Sequence, residues 1–307
     1  MPSNDPSALP SLVTIGCVNF DADPDDLSVT LAAILDWTRK AARQGCDLVV
    51  FPELALGRWG RCDDCAAAHA PCPHHLAEAE VVPGPSTLAI AALAAELDIH
   101  VIVGMSETDP DDPTVLYNAA AVIAPDGILG TYRKVHLGIP LETDRFTPGS
   151  ELPVFDTRLG GSGVQICYDF YNNPEMSRIL AQKGARILVN PTGRGDLPRG
   201  RDNLRRMTLV RAEENLAVAA SSNRCGDRHG SAWAGGSVIA CPAYPGFGEV
   251  IAVADESEQL IVGTVNFDKI AAWNDVLPWR DWRMGGQAGA TRLVADEFAA
   301  LADKAES

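Results

Sequence analysis

Residues 163–175 read GVQICYDFYNNPE. Gly163 to Cys167 is a short, mostly apolar run of the kind that forms a buried strand. Pro174 to Gln182 then opens on proline, a residue tolerated in the first turn of a helix, and predicts a helix. Ile187 to Asn190 is a second short apolar strand. Working toward the C-terminus, Leu204 to Leu216 has helical spacing. Ala217 to Ser222, Ser237 to Ala240, Val250 to Val253 and Ile261 to Asn266 read as strands. Toward the N-terminus the same alternation continues. Leu12 to Phe20 is a strand. Leu27 to Arg43 is a helix stopped by Gly45, and Asp47 to Phe51 is a strand. Thr87 to Leu97 is a helix announced by Gly84-Pro85-Ser86, and His100 to Met105 is a strand. Asn118 to Ala124 and Ile128 to Tyr132 make a hairpin around Pro125-Asp126-Gly127. Many short apolar strands interleaved with helices predict an α/β fold whose sheets are buried beneath helices.

No long linker, repeat or low-complexity block interrupts the 307 residues, so one domain spanning 1–307 is the simplest expectation. Two stretches fit no regular element. One is a cysteine- and histidine-rich insertion at about 57–75. The other is a C-terminal tail from about 271, rich in Trp, Arg and Gly over Trp273 to Gly289. The chain is 46% hydrophobic, ample for a packed core, and its net charge is −16. So acidic a surface repels nucleic acid and anionic lipid. The sequence has no run of roughly 18 apolar residues such as a membrane span needs. The segment from Met1 to Pro10 is polar and proline-rich, unlike a secretory signal. The expectation is a cytoplasmic protein with no nucleic-acid or membrane partner, whose cysteines are reduced.

Three polar residues stand where apolar strands end. Glu53 follows Leu48-Val49-Val50-Phe51-Pro52, Lys134 follows Gly130-Thr131-Tyr132-Arg133, and Cys167 follows Gly163-Val164-Gln165-Ile166. Reactive groups of open α/β folds gather at the carboxyl ends of strands. Each residue alone also has an ordinary reading: a core cysteine, a solvated turn glutamate, a surface lysine.

Four segments change that balance. DLVVFPELAL (47–56), LYNAAAVIAPDGILGTYRKVHL (116–137), GVQICYDFYNNPE (163–175) and RAEENLAVAASSN (211–223) resemble the nitrilase, or carbon–nitrogen hydrolase, superfamily in order and separation. The resemblance covers roughly residues 12 to 270. It implies a four-layer α-β-β-α sandwich, protomers paired into a homodimer, and a Glu-Lys-Cys triad that falls on Glu53, Lys134 and Cys167. A second glutamate found in amidase-type members falls on Glu142. The resemblance therefore implies a hydrolase that cleaves the amide bond of a small linear carboxamide through a cysteine thioester and releases ammonia. A close alternative is an N-carbamoyl hydrolase, which also releases carbon dioxide. A catalytically silent binding protein on the same fold is the alternative from another class. The Cys167-Tyr168-Asp169 context is similar to the amidase and carbamoylase branches, whereas true nitrilases carry Cys-Trp-Glu.

The chemistry fits these residue types. A free thiol has a pKa of about 8.5 and is only partly thiolate at neutral pH. Glu53 can take its proton, and Lys134, with the Tyr168 backbone N–H, can hold the oxyanion. Glu142 would orient Lys134 or the substrate amine. Trp59, Tyr168, Tyr171, Asn172, Asn190 and Thr192 are expected pocket residues; loop packing is the alternative for each. In the insertion, Cys62-x2-Cys65 and Cys72-x2-His75 form two chelating bites, with His69 as a spare ligand. Four such ligands match a closed, structural zinc site; a loop of free thiols is the alternative. Catalysis on this reading needs no cofactor. A zinc-dependent hydrolase built on the loop is a third possibility, one that a chelator would inactivate.

Overall fold

The computed structural model describes residues 9–21, 26–57, 73–228, 231–276 and 288–306. In chain order the strands are β1 (Leu12–Asn19), β2 (Leu48–Val50), β3 (His100–Thr108), β4 (Leu116–Ala124), β5 (Gly127–Arg133), β6 (Val154–Thr157), β7 (Gly160–Val164), β8 (Ala185–Thr192), β9 (Val218–Asn223), β10 (Cys225–Arg228), β11 (Ser231–Ala234), β12 (Val238–Pro242), β13 (Gly248–Val253) and β14 (Gln259–Asn266). The helices are α1 (Leu27–Arg43), α2 (Pro73–Glu78), α3 (Pro85–Leu97), α4 (Pro140–Thr143), α5 (Tyr168–Asn172), α6 (Pro174–Gln182), α7 (Gly200–Asn215), α8 (Phe267–Val276) and α9 (Ala288–Glu306).

Two six-stranded sheets form the centre, ordered β14-β1-β2-β3-β4-β5 and β13-β12-β9-β8-β7-β6. In the first, β1, β2 and β3 run parallel; in the second, β7, β8 and β9 do. The strands are apolar nearly throughout because successive side chains enter two different cores. Ile15, Leu48, Val50 and Ile102 of the first sheet meet Val164, Ile166, Ile187 and Val189 of the second. The alternate residues Val49, Val101 and Val103 turn outward to Ile34, Ala41, Ile90 and Ala94 of α1 and α3. Leu188, Ala219 and Val238 turn outward to Leu180, Leu204 and Ala212 of α6 and α7. The architecture is the four-layer α-β-β-α sandwich.

Local signals explain the elements. In α1, Thr30, Ile34, Thr38 and Ala41 recur at helical spacing and are buried. Asp26 caps the helix by accepting from the N–H groups of Ser28 and Val29. The β4–β5 turn closes at Gly127, whose φ of +141° only glycine adopts without strain. The two sheets join at their carboxyl ends: Phe20 N donates to Asn223 O (3.3 Å) and Cys225 N to Phe20 O (3.2 Å).

The expected irregular tail is corrected in part. The helix α8 runs through Trp273 to Val276, with Phe267 and Ile270 buried against the second core. Beyond the segment outside the description, α9 is helical, as its alanine-rich sequence favours, and leaves Leu293, Val294, Phe298 and Leu301 exposed. No helix among the described residues is long and apolar enough to cross a membrane.

Candidate active site

Glu53 lies three residues beyond β2. The backbone around it is held to β3 by Phe51 N to Ile102 O (2.8 Å) and Leu56 N to Gly104 O (2.9 Å). It crosses β3 at Gly104, where a Cβ would stand 2.2 Å from the Pro52 carbonyl oxygen and 2.7 Å from Glu53 Cα. Only glycine admits that approach. From the opposite sheet Arg224 Nη1 donates to Leu54 O at 2.8 Å, so both sheets fix the turn.

Lys134 follows β5 directly, its N–H donating to Asn118 O at 2.8 Å. Cys167 stands just past β7. Its N–H donates to Asn190 Oδ1 (3.0 Å) and Pro191 O (3.1 Å). Its φ of +49° and ψ of −100° make a sharp strand-to-helix turn that strains a non-glycine residue by about 1–3 kcal/mol. Such a turn lifts the side chain out of the sheet, as nucleophile elbows do.

The three ends meet around one buried cation. Lys134 Nζ, 1% exposed, donates to Glu53 Oε1 (2.8 Å) and to Glu142 Oε1 (2.5 Å). Asn118 Nδ2 bridges the same two oxygens, at 2.8 and 2.9 Å. The second oxygen of each carboxylate takes a backbone donor: Gly193 N to Glu53 Oε2 (2.8 Å) and Gly138 N to Glu142 Oε2 (2.7 Å). Burial raises the Glu53 pKa above the ordinary glutamate value, with the Glu142 charge adding to it and Lys134 opposing. Burial alone would depress Lys134, but the negative groups around it, Glu53 first, hold its pKa above the usual lysine value. Cys167 is half-buried, and its thiol is pushed up to about 12 by desolvation and then by the charge of Glu53. The arrangement thus offers a protonated thiol, an acceptor able to bind a proton reversibly, and a permanently charged ammonium. Among the described residues no acceptor takes the N–H of Tyr168, next to the thiol.

The other expected residues divide. Thr192 Oγ1 meets the Tyr171 hydroxyl at 2.7 Å and opposes the rise of the Cys167 pKa. Tyr168 is partly exposed, its ring against Gly138. Asn190 is fully buried and engaged at both ends by protein, accepting from Cys167 N and donating to Ser221 Oγ at 2.9 Å, so it supports the Cys167 turn. Asn172 is exposed at the end of α5. His75 is buried on α2. Trp59, Cys62, Cys65, His69 and Cys72 lie outside the described residues.

Four contributors escape a reading by strand ends: Asn118, Gly104, Gly193 and Asp169. The Asp169 carboxylate, fully buried, accepts from Tyr132 Oη (2.6 Å), Val135 N (3.1 Å), His136 N (2.8 Å) and His136 Nδ1 (2.9 Å). Those donors flank Lys134 on both sides. Asp169, two residues past Cys167, therefore ties the lysine segment to the cysteine turn. A buried asparagine opening an alanine run and a glycine inside an apolar strand were the signals available for Asn118 and Gly104.

The family model described as carbon-nitrogen hydrolase matches residues 14–275. A nitrilase of Pyrococcus abyssi is 33% identical over 232 residues, covering 75% of this chain and 80% of that protein. An omega-amidase of Homo sapiens is 32% identical over 251 residues, 78% of this chain and 84% of that protein. An N-carbamoylputrescine amidase of Solanum lycopersicum is 33% identical over 281 residues, 84% and 88%. Among solved structures, Nit3 of Saccharomyces cerevisiae superposes with a TM-score of 0.76 at 22% identity, over 90% of this chain and 98% of that one. A variant of the amidase from Nesterenkonia sp. AN1, solved after Michael addition of acrylamide at its active-site cysteine, superposes with a TM-score of 0.69 at 25% identity, over 88% and 99%.

Proposed function

The chain belongs to the carbon–nitrogen hydrolase family of the nitrilase superfamily, enzymes of non-peptide amide bonds, and from that premise we propose that it is a thiol amidase releasing ammonia from a small linear carboxamide. The observation that carries the reading is the buried Lys134 ammonium clasped between Glu53 and Glu142 beside the strained Cys167 turn. As sulfur attacks the amide carbon, the thiol proton passes to Glu53. The oxyanion forms between Lys134 Nζ and the Tyr168 N–H, donors typically worth about 3–4 kcal/mol each. Glu53 returns the proton to the leaving nitrogen, and ammonia departs. Water, deprotonated by Glu53, then attacks the thioester and frees the acid. Glu142 keeps the ammonium aimed. The tyrosine and aspartate after the nucleophile favour amide over nitrile substrates.

The test is a panel of matched amides, ureido compounds and nitriles read by product mass, with Cys167→Ala as control. Ammonia and acid from amides, an acyl adduct on the wild type and no turnover by the variant are expected. A nitrile processed faster than its own amide would overturn the subclass, and a Cys167→Ala variant retaining more than a few per cent of activity would overturn the nucleophile. The similarity to the tomato enzyme motivates the ureido arm, in which carbon dioxide accompanies ammonia. The reading includes a cytosolic homodimer, checked by light scattering and fractionation. It also includes a structural zinc on Cys62, Cys65, Cys72 and His75. Elemental analysis of untagged protein should then find about one zinc per chain, lost in a Cys62→Ser/Cys65→Ser variant.

A further inference from the structure

Helix α9 (Ala288–Glu306) lies wholly beyond residues 14–275, the part of the chain that matches the carbon-nitrogen hydrolase family, so the hydrolase body does not account for it. Every residue from Gly289 to Lys304 is exposed. That includes the large apolar side chains: Leu293 at 61%, Val294 and Phe298 at 54%, and Leu301 at 58%. Helices of this length are marginal in water on propensity alone and draw most of their stability from burying one apolar face. A contiguous apolar stripe in water marks an interaction surface.

The stripe is ordered. Thr291, Val294, Phe298 and Leu301 follow at steps of three, four and three residues, the spacing that keeps side chains on one seam of a two-helix pair. Leu293 lies off that seam. Ala295 and Ala302 line one flank of it, Glu297 and Lys304 the other. Asp296 and Asp303 occupy the far face, where a helix bound to anionic lipid would carry Lys and Arg.

The flanks select the partner. A second α9 can be laid against the first in reverse, with a two-fold axis between residues 299 and 300. Phe298 then packs on the partner's Leu301, and Leu301 on the partner's Phe298. On one flank Glu297 faces the partner's Lys304, twice by symmetry. On the other, Ala295 faces the partner's Ala302, which lets the backbones approach. A parallel pair would instead set each Glu297 beside the partner's Ala302 and leave the charges unmatched. The surface is therefore complementary to itself, as a two-fold contact requires.

We propose that α9 docks antiparallel on α9 of a second copy of this chain, through the Val294, Phe298 and Leu301 seam, with Glu297 and Lys304 setting the direction. At 19 residues the helix is about 28 Å long, too short to supply a standard interface by itself, so it acts as a clasp beside other contacts between the copies. The inference does not depend on the substrate.

The experiment replaces Phe298 with the photoreactive p-benzoylphenylalanine in the full chain. Illumination should join two copies, and mass spectrometry of the joined peptides should place both ends in α9. Adding Leu301→Glu should lower the yield at least about 30-fold. Glu297→Lys sets like charges opposite each other in both pairs and should lower the yield about three- to tenfold; Glu297→Lys/Lys304→Glu should restore it. Parallel pairing, or docking of α9 on the hydrolase body, predicts no such restoration. Capture of residues outside α9, in the same copy or another, would overturn the inference, as would the absence of any joined product. A charge exchange that fails to restore the yield would overturn the antiparallel register. All the substituted positions are exposed, so an unchanged urea midpoint should show that the body remains folded.

Discussion

Replacing Asp169 with asparagine changes one atom and no volume, and the structure sets its consequence. Oδ2 accepts from Tyr132 Oη and Val135 N; Oδ1 accepts from His136 N and Nδ1. An asparagine must turn its NH2 toward one of these pairs. Toward the first, the tyrosine hydroxyl can rotate to become an acceptor, but the Val135 N–H then faces an N–H. Toward the second, a neutral His136 can accept at Nδ1, but the His136 backbone N–H is left facing one. In either orientation a buried backbone donor loses its partner, at about 1–3 kcal/mol, and the surviving bonds lose their charge, at about 1 kcal/mol each. The expected destabilisation is about 2–5 kcal/mol, readable as a lower urea midpoint with an unchanged slope. Because these donors flank Lys134, the ammonium should also lose its placement. Losing one oxyanion donor costs about 10²–10³ in kcat, so a drop of about 10²-fold in kcat, exceeding any change in KM, is expected. His136→Ala, which deletes only one of the four bonds, is the control. The Asp169 hydrogen bond raises the His136 pKa. Its contribution to stability is therefore complete below the unfolded value of about 6.5 and disappears as pH rises through the folded value. An Asp169→Asn protein that is destabilised yet keeps wild-type kcat below its unfolding transition would refute the link to Lys134.

Three further outcomes follow from the site. The acid limb of kcat/KM against pH should lie above the ordinary glutamate value of about 4.3, because the base is lost as pH falls through the raised Glu53 pKa. No alkaline loss from Lys134 should appear below about pH 9, its pKa being raised too; an acid limb at or below the ordinary value would contradict the burial argument. Glu53→Gln should slow both ammonia release and thioester hydrolysis by about 10²-fold or more, and should also slow alkylation of Cys167 by iodoacetamide. Unchanged alkylation would mean that the thiol loses its proton without Glu53. Gly104→Ala should reduce stability and turnover together, since its Cβ would stand 2.2 Å from the Pro52 oxygen; a crystal structure with Glu53 unmoved would count against that clash.

What could be read from the sequence is what is encoded locally. The spacing in α1, the Gly127 turn and the apolar strands each carry their own signal, whereas the strand ends only suggest Glu53, Lys134 and Cys167, and it is the resemblance of four segments to the nitrilase superfamily that brings them, with Glu142, forward. The role of Asn118 depends on two carboxylates that arrive from residues 53 and 142. The role of Gly104 depends on a turn that crosses it, and that of Asp169 on the segment flanking Lys134. Such roles arise from segments distant in sequence meeting in space, which periodicity does not encode. By contrast, α9 carries an alanine-rich local signal of its own, which the Trp-, Arg- and Gly-rich composition just before it obscures.

The electrostatics of the proposed cycle explain why the fold tolerates three ionisable side chains in so dry a place. The proposed cycle starts with two carboxylates, Glu53 and Glu142, one ammonium, Lys134, and a neutral thiol, so that the buried cluster carries one net negative charge. A preformed thiolate would add a second, and desolvation together with the Glu53 charge holds the thiol near 12 to prevent it. When sulfur attacks, its proton moves to Glu53 as negative charge appears on the substrate oxygen beside Lys134. One anion is neutralised while another forms within reach of the same ammonium, so the net charge does not change. Moving charge within a closed low-dielectric site avoids the several kcal/mol that creating new charge there would cost. The raised Glu53 pKa lowers the cost of the protonated intermediate. The bridge through Asn118 and Glu142 keeps Lys134 in place once Glu53 has taken the proton and its hold on the ammonium weakens. On this argument the second glutamate is required because the first must periodically give up its charge. Glu142→Gln should therefore slow acylation more than it weakens ground-state binding, a split that single-turnover ammonia release set against KM would read directly. A defect confined to KM would place Glu142 at the substrate instead.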